Sequence, residues 1–237
     1  MTATEPLSGQ PLRDRRFAGY EQPRADVQAL VPRDARRVLD IGCASGALGE
    51  ALKRRPGVEV VGVELGSDYA AHARARLDDV VEGDATDVLC APDARERLGT
   101  FDCIIAADLL EHLADPFATV RGAAMLLDDG GTFIASLPNV RFWQTFWHVG
   151  VRGRWPRRDT GLFDRTHLQW FTRTDAVALL EQAGLRVVLV KGRYKLNYMA
   201  NKVDRLLGPL LRLSPLRAFF AYQYLLVAIP VADRRPT

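Results

Sequence analysis

Between residues 37 and 137, short apolar runs alternate with helical segments, and no other feature of the chain constrains its fold as strongly. Arg37–Ile41, Val58–Val63, Val80–Val81, Phe101–Ala106 and Thr132–Leu137 read as strands, being brief, largely apolar and bounded by turn residues. Ala47–Arg55, Asp68–Leu77 and Pro116–Leu127 read as the helices between them. Leu48 and Leu52 fall at helical spacing, and the first of these helices stops before Pro56-Gly57. Such alternation implies a parallel sheet wound by right-handed crossovers, with helices on both faces.

The pattern changes after Pro138. Thr174–Ala183 is helical, with Gly184 in the C-cap position. Leu185–Val190 and Tyr222–Ile229 read as strands joined without a clean crossover helix, which suggests an antiparallel pair at the sheet edge. The expectation is therefore an α/β fold: a seven-stranded, mostly parallel sheet with an antiparallel C-terminal edge pair. Residues 1–23 form a flexible arm, and Arg24–Leu30 after it forms a short helix before the turn around Pro32. Residues 24–237 form one domain, with a wall segment over 139–173 and an insertion over 193–217.

Composition narrows the class. The chain has 237 residues, 48% hydrophobic and 26% charged, which excludes disordered, collagen-like and coiled-coil chains. At this size the core needs no disulfide or metal staple. The three cysteines, Cys43, Cys90 and Cys103, lack metal-ligand spacing and read as free thiols in a reducing cytoplasm. Met1–Gln10 is polar and offers no secretory h-region. The apolar stretch 218–232 contains Gln223 and Pro230 and is too short to span a bilayer. Charge is divided unevenly. Residues 1–140 carry 15 Lys and Arg against 23 Asp and Glu, a net −8; residues 141–237 carry 17 against 6, a net +11.

The segment Val38-Leu39-Asp40-Ile41-Gly42-Cys43-Ala44-Ser45-Gly46 joins a buried strand to a helix through a glycine turn. Such a turn lets a ligand approach the backbone closely, and it lies at the carboxyl end of a strand, where open α/β sheets bind ligands. Glu64 ends the second strand, 22 residues after Gly42, where a carboxylate can accept both hydroxyls of a ribose. A nicotinamide dinucleotide needs G-x-G-x-x-G to admit its pyrophosphate. Here those positions are Gly42, Ala44 and Ala47. S-adenosylmethionine has no phosphate and tolerates a looser turn. Asp84, in Glu82-Gly83-Asp84-Ala85 after the third strand, can meet an adenine amino group.

With these residues in view, the chain resembles the class I S-adenosylmethionine-dependent methyltransferases, which share a Rossmann-like sheet. The resemblance rests on VLDIGCASG (38–46), Glu64, GDA (83–85) and FDCIIAADLLEHLADP (101–116), and covers roughly 24–190 plus the last strand. LPNVRFW (137–143) and DRTHLQWFT (164–172) are similar to the branch of ubiquinone-type and sugar O-methyltransferases. It implies S-adenosylmethionine as cofactor, with Asp40 and Gly42 at its methionine part, Glu64 at the ribose, and Ala44, Gly46 and Leu65 also among the cofactor-binding residues. Asp84 and Ala85 would meet the adenine, and Asp108 and Leu109 the methyl-transfer mouth. Many relatives have glycine where Ala44 stands; an alanine fits while the backbone there keeps a negative φ.

Methyl transfer to a hydroxyl needs alignment and a route for the proton. His72 lies on an outer helix and His148 in an aromatic stretch, where a structural role suffices. His112 either packs under the cofactor loop or takes part in catalysis. His167, in Asp164-Arg165-Thr166-His167, either acts as general base with Asp164 orienting its ring or fixes the loop. Arg165 pairs either with an acidic substrate or with Asp164. The expectation is no metal, although the resemblance offers a minor alternative in Asp108, Glu111 and His112.

Residues 141–173 hold seven arginines against Asp159 and Asp164, interleaved with aromatics. This wall, with Arg141, Trp143 and Arg165 as substrate contacts, suits an anionic or ring-bearing small molecule. The basic amphipathic stretch 199–216 is a lid, a homodimer contact or a peripheral membrane contact at the inner face of the membrane. A nucleic-acid partner is not expected. The function expected is methyl transfer to a hydroxyl oxygen of a sugar, polyketide or quinone-like acceptor. The alternatives are N- or C-methylation, and a catalytically silent cofactor-binding paralogue with a membrane or partner role.

Overall fold

The structure is a computed structural model that describes residues 21–194 and 217–231. Its strands are β1 (Arg37–Ile41), β2 (Glu59–Glu64), β3 (Asp79–Glu82), β4 (Phe101–Ala107), β5 (Leu127–Pro138), β6 (Leu185–Tyr194) and β7 (Ala221–Pro230). They form one sheet in the order β3-β2-β1-β4-β5-β7-β6. The first five run parallel, with Leu39 of β1 opposite Val61 of β2 and Ile104 of β4. β7 is antiparallel to both β5 and β6. The chain starts mid-sheet, steps outward to β3, then returns to the other side of β1. Strand order therefore reverses between β1 and β4, and a crevice opens at their carboxyl ends.

Side chains alternate along each strand and supply two cores. Leu39, Ile41, Ile104 and Phe133 face one layer, packed against α4 (Ala85–Cys90), α5 (Ala94–Leu98), α6 (Pro116–Met125) and α8 (Arg173–Gln182). Val38, Val60, Ile105 and Ile134 face the other, packed against α1 (Ala25–Gln28), α2 (Ala47–Leu52) and α3 (Ser67–Arg74). The expected seven strands and two helical layers are present.

Several boundaries differ from the sequence reading. Helices α4 and α5 were not anticipated: they are short, and Asp84 caps the first by accepting the Thr86 N–H at 2.8 Å. β5 starts at Leu127 because Gly130-Gly131 forms an irregularity opposite Phe101 rather than a free turn. A Cβ on Gly131 would stand 3.0–3.1 Å from the carbonyls of Asp128 and Phe101. Helix α8 starts at Arg173 through a capping box between Thr172 and Asp175. β6 continues to Tyr194, so it takes up the first residues of the expected insertion. The arm up to residue 20 and the stretch 199–216 lie outside the described residues. Among the described residues, no helix is long and apolar enough to cross a membrane.

The wall segment starts at Asn139, which is fully buried, and goes on into the one-turn helix α7 (Trp143–Thr145). Asn139 Nδ2 donates to the carbonyls of Ala218 and Ala221, both at 2.7 Å, and its Oδ1 accepts the Arg141 N–H at 3.0 Å. The two carbonyls belong to the short helix α9 (Arg217–Phe220) and the start of β7, so one side chain ties the exit of β5 to them. Asn139→Ala should cost about 2 kcal/mol, because it strands these backbone groups in a dry environment. Urea unfolding reads this as a lower midpoint at unchanged slope; a loss below about 0.5 kcal/mol would contradict that role for Asn139.

Candidate active site

β1 runs into Gly42 at φ 71°, whose N–H donates to the Val63 carbonyl at 2.8 Å. A Cβ at Gly42 would stand 2.8 Å from Leu109 Cδ1, so the position excludes a side chain. Ala44 has φ 47°, which corrects the expectation of negative φ: the turn holds an alanine in the left-handed region. The brace is Glu64. One of its oxygens accepts the Ala44 N–H at 2.9 Å and the other the Gly66 N–H at 2.8 Å. Each carboxylate oxygen retains a second lone pair for a ligand hydroxyl.

A cavity of about 620 Å³ lies over this turn, lined by Asp40, Gly42 and Ala44 on one side and by Arg24, Asp108 and Gln223 on the other. Burial, reinforced by Glu64, pushes the Asp40 carboxyl up to about 7, while Arg24 opposes this. Asp108 accepts hydrogen bonds from Arg24, from Gln223 and, at 2.8 Å, from Ser136 Oγ. Arg24 also pairs with Asp26 at 3.1 Å, and Asp26 with Arg193 at 3.1 Å. Arg193 donates to Gln223 Oε1 at 2.6 Å, closing a ring of polar contacts over the crevice. Among the described residues, the non-glycine positions with positive φ are Arg24, Ala44 and Asp108, and all three line this cavity. Strain of this kind gathers where a ligand dictates the backbone path.

Sequence reasoning missed Arg24, Ser136, Tyr222 and Gln223. Arg24 and Gln223 reach Asp108 from 84 and 115 residues away, and no local pattern signals such pairing.

A second cavity, about 230 Å³, shares Asp108, Tyr222 and Gln223 with the first and is lined by Glu111, His112, Asp164 and His167. Glu111 and His112 sit on a 3₁₀ turn (Leu110–His112) directly after β4. The loop carrying His167 docks there because the Glu111 carbonyl accepts the N–H groups of Leu168 and Gln169 at 2.8 and 3.0 Å. His167 Nδ1 is 3.2 Å from the Leu162 carbonyl, while Asp164 accepts from the Thr166 N–H and hydroxyl at 2.9 and 2.7 Å. Asp164 thus shapes the loop, and the Leu162 carbonyl fixes the His167 ring. Burial and the neighbouring His112 lower the His167 pKa, so the ring is uncharged at neutral pH. Burial and the Asp108 carboxylate raise the Glu111 pKa well above the carboxylate range.

The other expected site residues are distributed as follows. Leu65 is 68% exposed beside Glu64, an apolar side chain in the open at the β2 end. β2 and β3 end in register, Glu64 opposite Glu82, which brings Asp84 and Ala85 to the same edge. Arg141 and Trp143 line neither cavity; their neighbours Phe142 and Gln144 line the second. Arg165 pairs with Asp159 rather than with Asp164. Cys43 and Cys103 are buried and Cys90 is exposed, all three as thiols.

A methyltransferase-domain family matches residues 13–190. The chain belongs to that family. It is 37% identical over 114 residues to the ubiquinone biosynthesis O-methyltransferase of Xanthomonas campestris pv. campestris, covering 48% of this chain and 47% of that protein. The chain thus spans about half the length of the curated relatives it matches. An S-adenosylmethionine-dependent methyltransferase from Archaeoglobus fulgidus superposes with TM-score 0.57 at 21% identity, covering 91% of this chain and 90% of that one. Magnesium protoporphyrin IX methyltransferase from Synechocystis PCC 6803, with bound S-adenosylhomocysteine, superposes with TM-score 0.59 at 16% identity, covering 98% and 90%. The described residues therefore share the fold of these methyltransferases.

The raised Asp40 pKa has a consequence for this methyltransferase domain. The folded chain keeps a proton that the unfolded chain releases between about pH 4 and 7, so stability falls as pH rises through that window. Asp40→Asn removes the penalty. It should raise stability at pH 8 by on the order of 2 kcal/mol, with the gain vanishing toward pH 4. Thermal unfolding at the two pH values tests this, and an equal shift at both would contradict it.

Proposed function

We propose that this chain transfers a methyl group from S-adenosylmethionine to a hydroxyl oxygen of a small, ring-bearing acceptor. The observation that carries the reading is the meeting of two cavities at Asp108, Tyr222 and Gln223. One lies against the glycine turn, and the other ends on imidazole and carboxyl groups.

The residues present fit the cofactor. Gly42, at positive φ, turns the backbone along the cavity wall, and Glu64 has lone pairs left for two ribose hydroxyls. Leu65 offers an exposed apolar face to the adenine, and Asp84 stands beside it with Ala85. Arg24 can hold the carboxylate of the methionine part, and Asp40 its ammonium, which would draw the Asp40 pKa back down. When bound, the cofactor supplies an electrophilic methyl group on a sulfonium.

The protein's own work is positioning and proton management. Arg24, Ser136 and Gln223 hold Asp108 rigid at the junction of the cavities. Phe142 and Gln144 line the acceptor space beside Pro138. His167 offers it an imidazole lone pair rather than a positive charge, which suits an acceptor that must give up a proton. O-methylation agrees with the chemistry of the partial relative in Xanthomonas campestris.

Incubation with methyl-labelled S-adenosylmethionine and a panel of catechols, phenols and sugars tests the reading by product mass. The expected product carries the label on oxygen, and Glu64→Ala should weaken cofactor binding by about tenfold or more, the loss of one or two hydrogen bonds to a charged group. Label on nitrogen or carbon would overturn the acceptor assignment. Unchanged cofactor binding in Glu64→Ala would overturn the cofactor site.

A further inference from the structure

Another cavity, of about 530 Å³, shares Asp164 and His167 with the second one, so the 164–167 loop is a wall common to both. Trp155, Trp170 and Val140 form its apolar lining, and Arg157 and Arg165 complete it. The two indoles stand at 87° with ring centroids 5.7 Å apart, which makes a right-angled corner. Trp155 is 38% exposed and Trp170 47%. Apolar side chains exposed singly are ordinary, but two joined over a cavity mark a binding place.

The corner is held in shape by its surroundings. Trp155 packs edge to face on Phe163, centroids 5.1 Å apart, and Phe163 is buried. The N–H of Arg158 donates to the Phe163 carbonyl at 2.9 Å, and that of Arg165 to the Arg158 carbonyl at 3.0 Å, so the stretch bearing Arg157 is tied to the 164–167 loop. Trp170 follows Leu168 and Gln169, which bond to the Glu111 carbonyl, and Val140 is fixed by its own N–H to the Phe171 carbonyl at 2.9 Å. Arg165 is paired with Asp159, and the Asp164 carboxylate accepts from Thr166. Among the described residues, Arg157 has no ion pair and no side-chain hydrogen bond, and it is exposed. An unpaired guanidinium thus stands beside two half-open indoles.

Ligand sites usually span about 300–1,000 Å³. The second cavity, at about 230 Å³, falls below that range, whereas this one falls within it. We propose that the Trp155 and Trp170 corner binds a flat aromatic ring system carrying one anionic oxygen group, and so holds the unreacting end of an acceptor whose hydroxyl enters the second cavity. The ring lies flat on one indole and turns its edge to the other, both arrangements that aromatic pairs favour. Arg157 meets the anion with a planar fork of donors that fits carboxylate and phosphate alike. The wall as a whole favours an anion, with seven arginines against two aspartates over residues 141–173. Use of the corner by an acceptor rests on the proposed function; binding of the ring and its anion does not.

Calorimetry on the full chain reads binding without turnover. The probes are 2-naphthoate and 2-naphthyl phosphate, with neutral 2-naphthamide as the control. At least one anion should bind once per chain and about tenfold or more tighter than the amide, the worth of one charge-assisted hydrogen bond, and the tighter anion identifies the group. Trp170→Ala should weaken binding by about tenfold. Trp170→Leu, which keeps bulk but loses the aromatic face, takes its place if the alanine variant does not fold. Arg157→Ala should bring the anion down to the level of the amide. Arg152→Ala removes an arginine of the same wall that does not line this cavity, and should change binding by less than about twofold. No binding of either anion, an amide bound as tightly, or binding kept in the folded Trp170 and Arg157 variants overturns the proposal, as does an equal loss in Arg152→Ala. Among phenols that accept the labelled methyl group, one extended by an anionic aryl group should show kcat/KM about tenfold above its single-ring parent. Arg157→Ala should cancel that gain, and an unchanged ratio overturns the acceptor role. Naphthoate binding with no label transferred to any acceptor would refute the proposed function, and with it the acceptor role, while the ring site stands.

Discussion

Parallel strands joined by helices must all cross over with the same hand, and that constraint creates the crevice on which the rest of the molecule depends. The chain fills one side of β1 with β2 and β3 and then passes to β4 on the other side. The loops after β1 and β4 consequently leave the sheet in opposite directions. The gap between them receives Asp40 and the glycine turn from one side and Asp108 and the Leu110–His112 turn from the other. The antiparallel β6–β7 pair then completes the sheet and sends Gln223 and Arg193 back over the crevice.

The crevice is electrostatically uneven. Asp40, Glu64, Asp108 and Glu111 crowd its base, and two of them are lifted above the ordinary carboxylate range by burial and mutual repulsion. Arg24 is the cation that counters Asp108, reached from a helix of only four residues with a left-handed N-cap. A fold that accepts buried like charges and three left-handed non-glycine residues gives up stability locally, and a positively charged ligand would recover part of it. Five of the 23 carboxylates in residues 1–140 gather at the site: Asp26, Asp40, Glu64, Asp108 and Glu111. The basic second part supplies the wall and a second countercharge at the crevice, Arg193.

Much of this was legible in the sequence. Continuous apolar runs fixed four of the five parallel strands to within a residue or so at each end, because buried parallel strands leave no polar alternation to misread. The glycine turn and Glu64 were legible because backbone geometry there admits few residues. The acceptor side was far less so. Arg141 and Trp143 were expected at the substrate, yet the neighbouring Phe142 and Gln144 line the cavity, since facing in an irregular segment follows no period. His167 was singled out from its loop motif, but its convergence with Glu111 and His112 depends on two backbone hydrogen bonds to the Glu111 carbonyl. The Arg24–Asp108 contact, made across the fold, left no local trace.

The central claim is that the crevice between β1 and β4 seats a nucleoside sulfonium cofactor whose reactive end faces the second cavity. A crystal structure with S-adenosylhomocysteine tests it most directly. The account predicts the ribose on Glu64, the adenine beside Leu65 and Asp84, the amino-acid end between Asp40 and Arg24, and the sulfur turned toward Asp108. Density elsewhere on the chain, or a sulfur facing away from the cavity that holds Glu111, His112 and His167, would contradict it.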